Sequence, residues 1–355
     1  MAIQIDGLLI VDKPEGITSL EAVREVKRRF HVKKAGHIGT LDPFATGVLP
    51  IAINEGTKLV PFLEEEPKEY EGVMKLGEET STDDLTGEIT SRKPWEDIPP
   101  GLIYSVFHTF LGKVQQIPPM FSAVKIQGKP LYRLARKGIE IERKERSVEI
   151  FDIQVEEIDL PLVRFRVSCS KGTYIRTLGR DIGRKMGYGA HLISLRRLRS
   201  GPFTIKQAIS WKTLKHLSKF EELSPWLISL KEALPSFPEV IGDEQLVKKV
   251  RIGKEMMVRD LSPLALSAME KSERLKLVSP EEGLVAILKS EIKGVDIQRA
   301  DPEIVAFRPL RIFHPSPHSS PQRRRGEGEG KDRINLKEEF HGTGSGEEKR
   351  DHRSV

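Results

Sequence analysis

Residues 35–51 read Ala35-Gly-His-Ile-Gly-Thr-Leu-Asp-Pro-Phe-Ala-Thr-Gly-Val-Leu-Pro-Ile51. The glycines at positions 36, 39 and 47 predict that the backbone and a ligand approach each other closely in this loop. Pro43 restricts Asp42 to extended geometry, which would hold the Asp42 carboxylate in one place. An Asp-Pro pair also marks ordinary turns, and on this loop alone the turn is the better interpretation. Neither a Walker spacing nor GxGxxG is present, so the loop is not a known type of phosphate cradle.

Buried strands are predicted on both sides of this loop. Leu8-Leu-Ile-Val-Asp12 is an apolar run that ends at Lys13-Pro14, and Val48-Leu-Pro-Ile-Ala-Ile53 is another. Between them, Thr18 and Glu21 have the spacing of a capping box, so a helix should begin there.

The clearest strand signal comes later in the chain. Val163-Arg-Phe-Arg-Val-Ser-Cys169 alternates strictly between apolar and polar residues, and Tyr70–Leu76 is also strand-like. A helix is predicted near Thr173–Met186, and Gly187 should end it. Three arginines four residues apart would form a basic ridge that projects from this helix: Arg176, Arg180 and Arg184.

Composition narrows the classes of protein. The chain has 355 residues, of which 38% are hydrophobic and 31% charged, a balance typical of soluble globular proteins. The single cysteine, Cys169, excludes an internal disulfide and a multi-cysteine zinc site. Scattered histidines without an HExxH motif argue against metal chemistry, and the lack of GxSxG argues against a serine hydrolase. No signal peptide or membrane-spanning run is recognisable, so we expect a cytosolic protein without membrane association.

The charged residues are unevenly distributed. The net charge is +6, with basic segments at 24–34, 125–146 and 171–199 and an acidic stretch from Glu64 to Asp97. This segregation predicts one face that binds a polyanion such as nucleic acid. For any one basic segment, a solvated surface is the simpler interpretation.

Prolines, glycines and shifts in composition predict three further segments after residue 233. Leu234-Pro-Ser-Phe-Pro238 has the composition of a linker, and residues 239–314 contain short apolar runs and turns typical of a small β-rich module. Residues 315–355 are rich in Ser, Gly, Arg and Glu, and are predicted to be a disordered tail.

The motifs of this chain resemble those of the bacterial tRNA pseudouridine synthase B family. The likeness covers residues 7 to about 210, in the family's order. Besides residues 35–51, the motifs on which this likeness rests are Val11-Asp-Lys-Pro14, Pro119-Met-Phe-Ser-Ala-Val-Lys125 with Leu131-Tyr132, Ser170-Lys-Gly-Thr-Tyr-Ile-Arg176, and Gly189-Ala-His191 followed by Leu195-Arg-Arg-Leu198.

The resemblance implies the pseudouridine synthase fold. This is an α/β architecture of the α+β type, with a mixed, mostly antiparallel sheet, flanking helices and a cleft. Residues 1–238 would form the catalytic domain, with a thumb-like insertion at about 118–146 that closes over RNA. Residues 239–314 resemble a shortened, PUA-like RNA-binding module.

The resemblance also implies a reaction and a site. The enzyme would isomerise the T-loop uridine of tRNA, position 55 in tRNA numbering, without cofactor or metal, as a monomer needing no protein partner. Asp42 would be catalytic and paired with Arg176, and Lys13 would support the floor of the site. The remaining substrate-binding candidates are His37 as a wedge in the RNA, Tyr70, Tyr174 and Leu195.

Several alternatives stay open. Asp42 could add to the anomeric carbon as a nucleophile or remove the 2′ proton to form a glycal. A guide-RNA-dependent pseudouridine synthase would share the chemistry but differ in targeting. A tRNA-binding folding chaperone would share the basic surface without needing catalysis.

Overall fold

Two predicted buried strands, one on each side of the 35–51 loop, pair with each other. The computed structural model describes residues 5–122, 124–126, 128–135, 137–261, 273–292 and 301–314, so the predicted tail at 315–355 lies outside it. Gly7–Lys13 runs antiparallel to Thr46–Ile53, with Leu9 opposite Ile51. The connection between them, residues 14–45, contains α1 and the first part of the loop, and it returns beside the strand from which it began.

The described strands are β1 (Gly7–Lys13), β2 (Ala35–His37), β3 (Thr46–Ile53), β4 (Lys68–Leu76), β5 (Glu78–Thr80), β6 (Ile89–Arg92), β7 (Gly112–Gln116), β8 (Lys125–Ile126), β9 (Lys129–Pro130), β10 (Arg146–Asp159), β11 (Leu162–Cys169), β12 (Ala190–Ser200), β13 (Phe203–Thr204), β14 (Ile209–Ser210), β15 (Leu227–Ile228), β16 (Glu239–Ile241), β17 (Met256–Met257), β18 (Arg274–Ser279), β19 (Gly283–Ser290) and β20 (Val305–Ile312). The described α-helices are α1 (Ser19–Arg29), α2 (Val60–Leu63), α3 (Pro100–His108), α4 (Leu131–Ala135), α5 (Ile175–Met186), α6 (Trp211–His216), α7 (Phe220–Leu223) and α8 (Glu244–Arg251).

A large mixed sheet forms the frame, in the order β14-β1-β3-β12-β4-β11-β10-β7. Among these strands β1–β14 and β3–β12 pair in parallel, and the other neighbours pair antiparallel. This arrangement confirms the predicted mixed, mostly antiparallel sheet. Its two faces are both covered, because alternate residues of β1 such as Leu9 and Leu8 belong to different hydrophobic clusters.

Helices α1 and α5 cover one face through their apolar stripes. Val23 and Val26 of α1, and Leu178 and Ile182 of α5, lie in the same buried cluster. The predicted capping box at Thr18 is present, so local sequence sets the start of α1. Helix α5 begins two residues later than predicted and ends at Gly187, whose φ of 90° is the left-handed cap expected of glycine.

A second sheet, in the order β16-β18-β19-β20-β17, follows the predicted linker. It has its own core around Leu277 and Phe307. Val278 and Phe313 instead join the cluster that covers the second face of the large sheet. The division of the chain at position 238 remains a prediction.

The prediction that α5 projects a basic ridge is wrong. Arg176 is only 3% exposed, and all three arginines are neutralised by carboxylates, most of them from the acidic stretch. Arg180 pairs with Asp83 at 3.0 Å, and Arg184 pairs with Glu79 at 2.8 Å. The acidic stretch thus packs directly against the basic segment 171–199 and cancels much of its charge, a long-range pairing that composition does not reveal.

Candidate functional site

The loop that carries Asp42 is held from below by β1 and α1. Ser19 at the start of α1 donates to the Leu41 carbonyl at 3.1 Å and accepts from the Leu41 N–H at 2.9 Å. The Lys13 ammonium donates to the carbonyls of Pro14, Ile17 and Pro43 at 2.8, 2.7 and 3.2 Å. These contacts fix the backbone on both sides of the carboxylate, as a site needs if its reactive group is to stay in position.

Lys13, predicted to support the floor of the site, is the last residue of β1. Its side chain is completely buried, and burial lowers its pKa to about 8. All three ammonium protons are directed to backbone carbonyls, so Lys13 uses its donors to hold the loop rather than a ligand.

Arg176 meets Asp42 in a bidentate pair. Nε lies 2.8 Å from Oδ2 and Nη2 lies 3.2 Å from Oδ1. The guanidinium also donates to the carbonyls of Thr82 and Phe121, at 2.9 and 2.8 Å. The guanidinium is therefore fixed by four hydrogen bonds and holds the carboxylate in one orientation.

Asp84 is a member of this network that the sequence analysis missed. It is 4% exposed, and its Oδ2 lies 3.6 Å from Nε of Arg176. Its Oδ1 accepts from the Thr82 hydroxyl at 2.6 Å and from the Thr86 N–H at 2.9 Å. Asp84 lies in a turn at residues 83–87, and its contact with Arg176 depends on the strand pairing that brings this turn beside α5.

A pocket with a volume of about 230 Å³ opens above the Asp42–Arg176 pair. Tyr70, Tyr174 and Leu195 line it together with Asp42 and Arg176, so five of the seven predicted site residues share one cavity. Burial raises the pKa of both phenols, which keeps them neutral. An acid group beside two aromatic walls and an apolar side chain suits a planar, partly polar ligand.

Gln116 fixes the backbone where the aromatic wall meets the helix. It is 3% exposed, its side-chain oxygen accepts from the Tyr174 N–H at 3.0 Å, and its amide donates to the Tyr174 carbonyl at 3.3 Å. Tyr174 is the N-cap of α5 and has no side-chain cap of its own. Gln116 therefore anchors the cap residue from outside and orients the helix start that carries Arg176.

His37 and Lys13, the remaining predicted residues, do not line the pocket. His37 lies in β2 opposite Ile51 and is half-buried, with no hydrogen-bond partner for Nδ1 among the described residues. Burial and the nearby Arg197 lower the pKa of its ring, so the imidazole is neutral at physiological pH.

Two lining residues, Lys68 and Arg197, were not predicted. Lys68 stands two positions before Tyr70 on β4, and Arg197 two positions after Leu195 on β12. Residues two apart on a strand share a face, so this period could have found them once Tyr70 and Leu195 were assigned.

The glycines of the loop differ in their roles. Gly47 has φ +100°, and a Cβ there would lie 2.2 Å from the Arg197 carbonyl oxygen. Gly39 has φ +69° and faces the Arg197 side chain. At Gly36 a Cβ would meet no protein atom within 4 Å, so the close approach of a ligand there stays a prediction.

Metal-binding and membrane-spanning features are lacking in the described residues. Within the described ranges, no three His, Cys, Asp or Glu side chains converge as a metal site would require. No helix in the part of the chain that the structure describes has the length and apolar character needed to cross a bilayer.

Two family models match consecutive parts of the chain. Residues 27–175 match the N-terminal domain of the TruB family of pseudouridylate synthases, and residues 176–234 match a tRNA pseudouridylate synthase B C-terminal domain.

Individual relatives agree with these matches. The tRNA pseudouridine synthase B of Geobacter sulfurreducens is 44% identical over 82% of this chain and 95% of its own length. That of Geotalea uraniireducens is 42% identical over 82% of this chain and 93% of its own.

A solved structure shares the architecture. The crystal structure of a Cbf5-Nop10-Gar1 complex contains a chain that aligns with a TM-score of 0.67 and 29% identity over 87% of this chain and 85% of its own. The resemblance inferred from the motifs is confirmed. The chain belongs to the TruB family of pseudouridylate synthases, and it is an isomerase.

Proposed function

We propose that the enzyme converts uridine 55 in the T loop of tRNA to pseudouridine, with Asp42 as the catalytic group. The observation that carries this proposal is the bidentate Asp42–Arg176 pair at the base of a pocket walled by Tyr70 and Tyr174. The names of the curated relatives, tRNA pseudouridine synthase B, support tRNA as the substrate.

The reaction breaks the bond from N1 of uracil to C1′ of ribose and rejoins the ring through C5. Asp42 has the access that this step needs, because its side chain is 34% exposed, whereas the side chain of Arg176 is 3% exposed. A carboxylate held there could bond to C1′, as in retaining glycosidases, or take the C2′ proton to give a glycal. The same arrangement of Asp42 serves both routes.

The two tyrosines and Leu195 would receive the everted base. We propose that Tyr70 stacks on the uracil near the C5 proton and that Tyr174 packs against the ring or ribose. Their neutral phenols offer flat apolar faces without a competing charge. Leu195, 6% exposed, would close the apolar wall.

We propose that His37 fills the space that the base leaves in the RNA. Extruding a stacked base costs about a few kcal/mol, and a planar side chain in its place offsets part of that cost. The half-buried, neutral ring of His37 on the loop before Asp42 supports this role.

RNA would be recognised by shape and charge. Exposed cations occur along the predicted thumb-like insertion, at Arg133, Lys137, Lys144 and Arg146. Such groups bind phosphates regardless of sequence, so affinity should fall steeply with salt. We propose that the enzyme acts as a cytosolic monomer with no cofactor, metal or obligate protein partner.

Guidance by a separate RNA is the second candidate, because one structural neighbour is described as an H/ACA RNP bound to a substrate RNA containing 2′-deoxyuridine. To separate the two, purified protein is incubated with a T-arm stem-loop alone, and release of the C5 hydrogen is followed with 5-tritiated uridine. Turnover without guide RNA or partner proteins would support the T-loop synthase, and turnover that needs them would contradict it. The folding-chaperone alternative predicts binding without any hydrogen release.

A further inference from the structure

Lys68 and Arg197 are two buried cations on the pocket wall that have no carboxylate partner among the described residues. They are 6% and 1% exposed. Lys68 donates to the backbone carbonyls of Glu64, at 2.5 Å, and Glu66. Arg197 donates through Nε to the Val48 carbonyl at 2.7 Å and through Nη2 to the Gly39 carbonyl at 3.0 Å. Backbone carbonyl dipoles are therefore the main groups that balance their charge.

The buried Arg176 and the half-buried Arg180 nearby are both neutralised. Arg176 has Asp42 and Asp84 beside it, and Arg180 has Asp83 and Asp181. An unpaired buried charge is costly, and two of like sign are costlier. The burial of Lys68 and its repulsion by Arg197 lower the pKa of the lysine to about 8. Such a pair is expected where a negative charge arrives during the working cycle.

The two cations converge on the Tyr70 side of the pocket. Arg197 is the cross-strand partner of Tyr70 in the β12–β4 register, and its guanidinium lies beside the Tyr70 phenol. A Cβ at Gly39 would lie 3.1 Å from Nη1 of Arg197 and 3.9 Å from Cε of Lys68. The absence of a side chain at Gly39 leaves space between the loop and both cations, next to the proposed position of the base.

We propose that Arg197 and Lys68 stabilise the negative charge that develops on uracil when it leaves the ribose. This inference rests on the proposed function, because it assigns a partner to the leaving group of that reaction. The RNA phosphates are the other anions available. They remain on the backbone at the mouth of the pocket when a nucleoside is everted, whereas both cations are more than nine-tenths buried.

The charge balance of the step requires such a partner. When the N1–C1′ bond breaks, its electron pair goes to N1, and uracil becomes an anion with charge shared by N1, O2 and O4. C1′ is satisfied either by a bond from an Asp42 oxygen or by the C1′=C2′ bond formed as Asp42 takes the C2′ proton. The uracil anion then bonds through C5 to C1′: on the adduct it displaces the Asp42 carboxylate, and on the glycal C2′ regains its proton from Asp42. The proton on C5 is then lost, and N1 gains one. Fixed cations aimed at the anion lower the barrier to the first cleavage.

Single-turnover kinetics with saturating enzyme test this assignment. The substrates are T-arm RNAs carrying uridine or 5-fluorouridine at the target position, and the loss of that nucleoside is measured. Lys68→Met is compared with Lys75→Met, the same change on the same strand, at a half-buried lysine outside the pocket that pairs with Glu78. Arg197→Lys keeps a charge with a shorter reach and provides a second variant.

Lys68→Met should lower the rate constant on uridine about 10²-fold, as for loss of one oxyanion donor, while the dissociation constant for RNA changes less than about twofold. On 5-fluorouridine the loss should be several-fold smaller, because fluorine itself stabilises the uracil anion. Arg197→Lys should show a weaker loss with the same dependence on fluorine, so the comparison survives if Lys68→Met does not fold.

Equal losses on both substrates, or weaker RNA binding with an unchanged rate at saturation, would overturn the assignment, and the second result would place a phosphate there. If wild-type enzyme consumes neither RNA, the proposed function itself fails. If wild type is active and Lys68→Met matches Lys75→Met, only the inference about the leaving group fails.

Discussion

Arg176 and Asp42 lie 134 residues apart in the chain and meet through two parallel hydrogen bonds, 2.8 and 3.2 Å long. The arginine is 3% exposed and the carboxylate 34% exposed. The pair therefore has one fixed member and one that faces the pocket. This asymmetry lets Asp42 act on a ligand while its orientation is set from behind.

Replacing Arg176 with lysine should impair the chemical step. Lysine offers a point charge in place of the planar fork, and it would leave the Thr82 or Phe121 carbonyl without a donor. For Arg176→Lys we expect a rate constant lower by about 10²-fold at saturating RNA. Single-turnover assays measure this rate constant. The control is Arg180→Lys, one turn further along α5, whose rate constant should fall little. A wild-type rate in Arg176→Lys would contradict the positioning role.

Asp84 should act through Arg176 without touching the substrate. Asp84→Asn keeps the Oδ1 acceptor for Thr82 and Thr86 but removes the negative charge 3.6 Å from Nε of Arg176. We expect about a 10-fold lower turnover with unchanged RNA affinity. The neighbouring Asp83→Asn, which alters the Arg180 pair instead, should leave turnover nearly unchanged. If the two variants lose activity equally, general damage to the turn is the cause.

The pH profile should report the charge on Lys68. Burial lowers its pKa from 10.5 to about 8, so the side chain is cationic below that pH and neutral above it. The single-turnover rate should accordingly fall as the pH rises through about 8. The Lys68→Arg variant keeps its positive charge above pH 8. Its rate should therefore fall at a higher pH than the wild-type rate does. Lys13 also titrates near pH 8 but does so in both proteins, so identical profiles would mean that the charge on Lys68 does not matter.

The close approach at Gly47 should be a condition of folding. With φ +100° and the Arg197 carbonyl oxygen 2.2 Å from the position that a Cβ would take, Gly47→Ala should reduce the free energy of unfolding by about 3 kcal/mol. Gly36→Ala, in the same loop, meets no atom and should change it by less than about 0.5 kcal/mol. Urea denaturation measures both. Similar stabilities for the two variants would show that the backbone can relax at position 47.

Local patterns predicted the local elements well. The capping box at Thr18, the alternation at Val163–Cys169 and the glycine cap at Gly187 each depend on neighbours in the chain, and each is present. The fold and five of the seven site residues in one pocket followed from motifs that resemble a family.

Long-range pairing was not accessible to the same reasoning. Asp84 reaches Arg176 only because the turn at 83–87 lies beside α5, and the basic ridge failed because the acidic stretch packs against it. Lys68 and Arg197 could have been found from the two-residue period of a strand, which places them on the same face as Tyr70 and Leu195. No charge pattern in the sequence marks them as part of a site. His37 lies outside the pocket wall, and the wedge role predicted for it stays a prediction.

Asp42→Asn tests the central claim most directly. The amide nearly preserves shape but can neither bond to C1′ nor take a proton, and it keeps one oxygen to accept from Arg176. Pseudouridine formation and RNA binding are measured on the same T-arm stem-loop. We predict a rate at least about 10³-fold lower, with a dissociation constant within about threefold of the wild type. Turnover at the wild-type rate in Asp42→Asn would contradict the account.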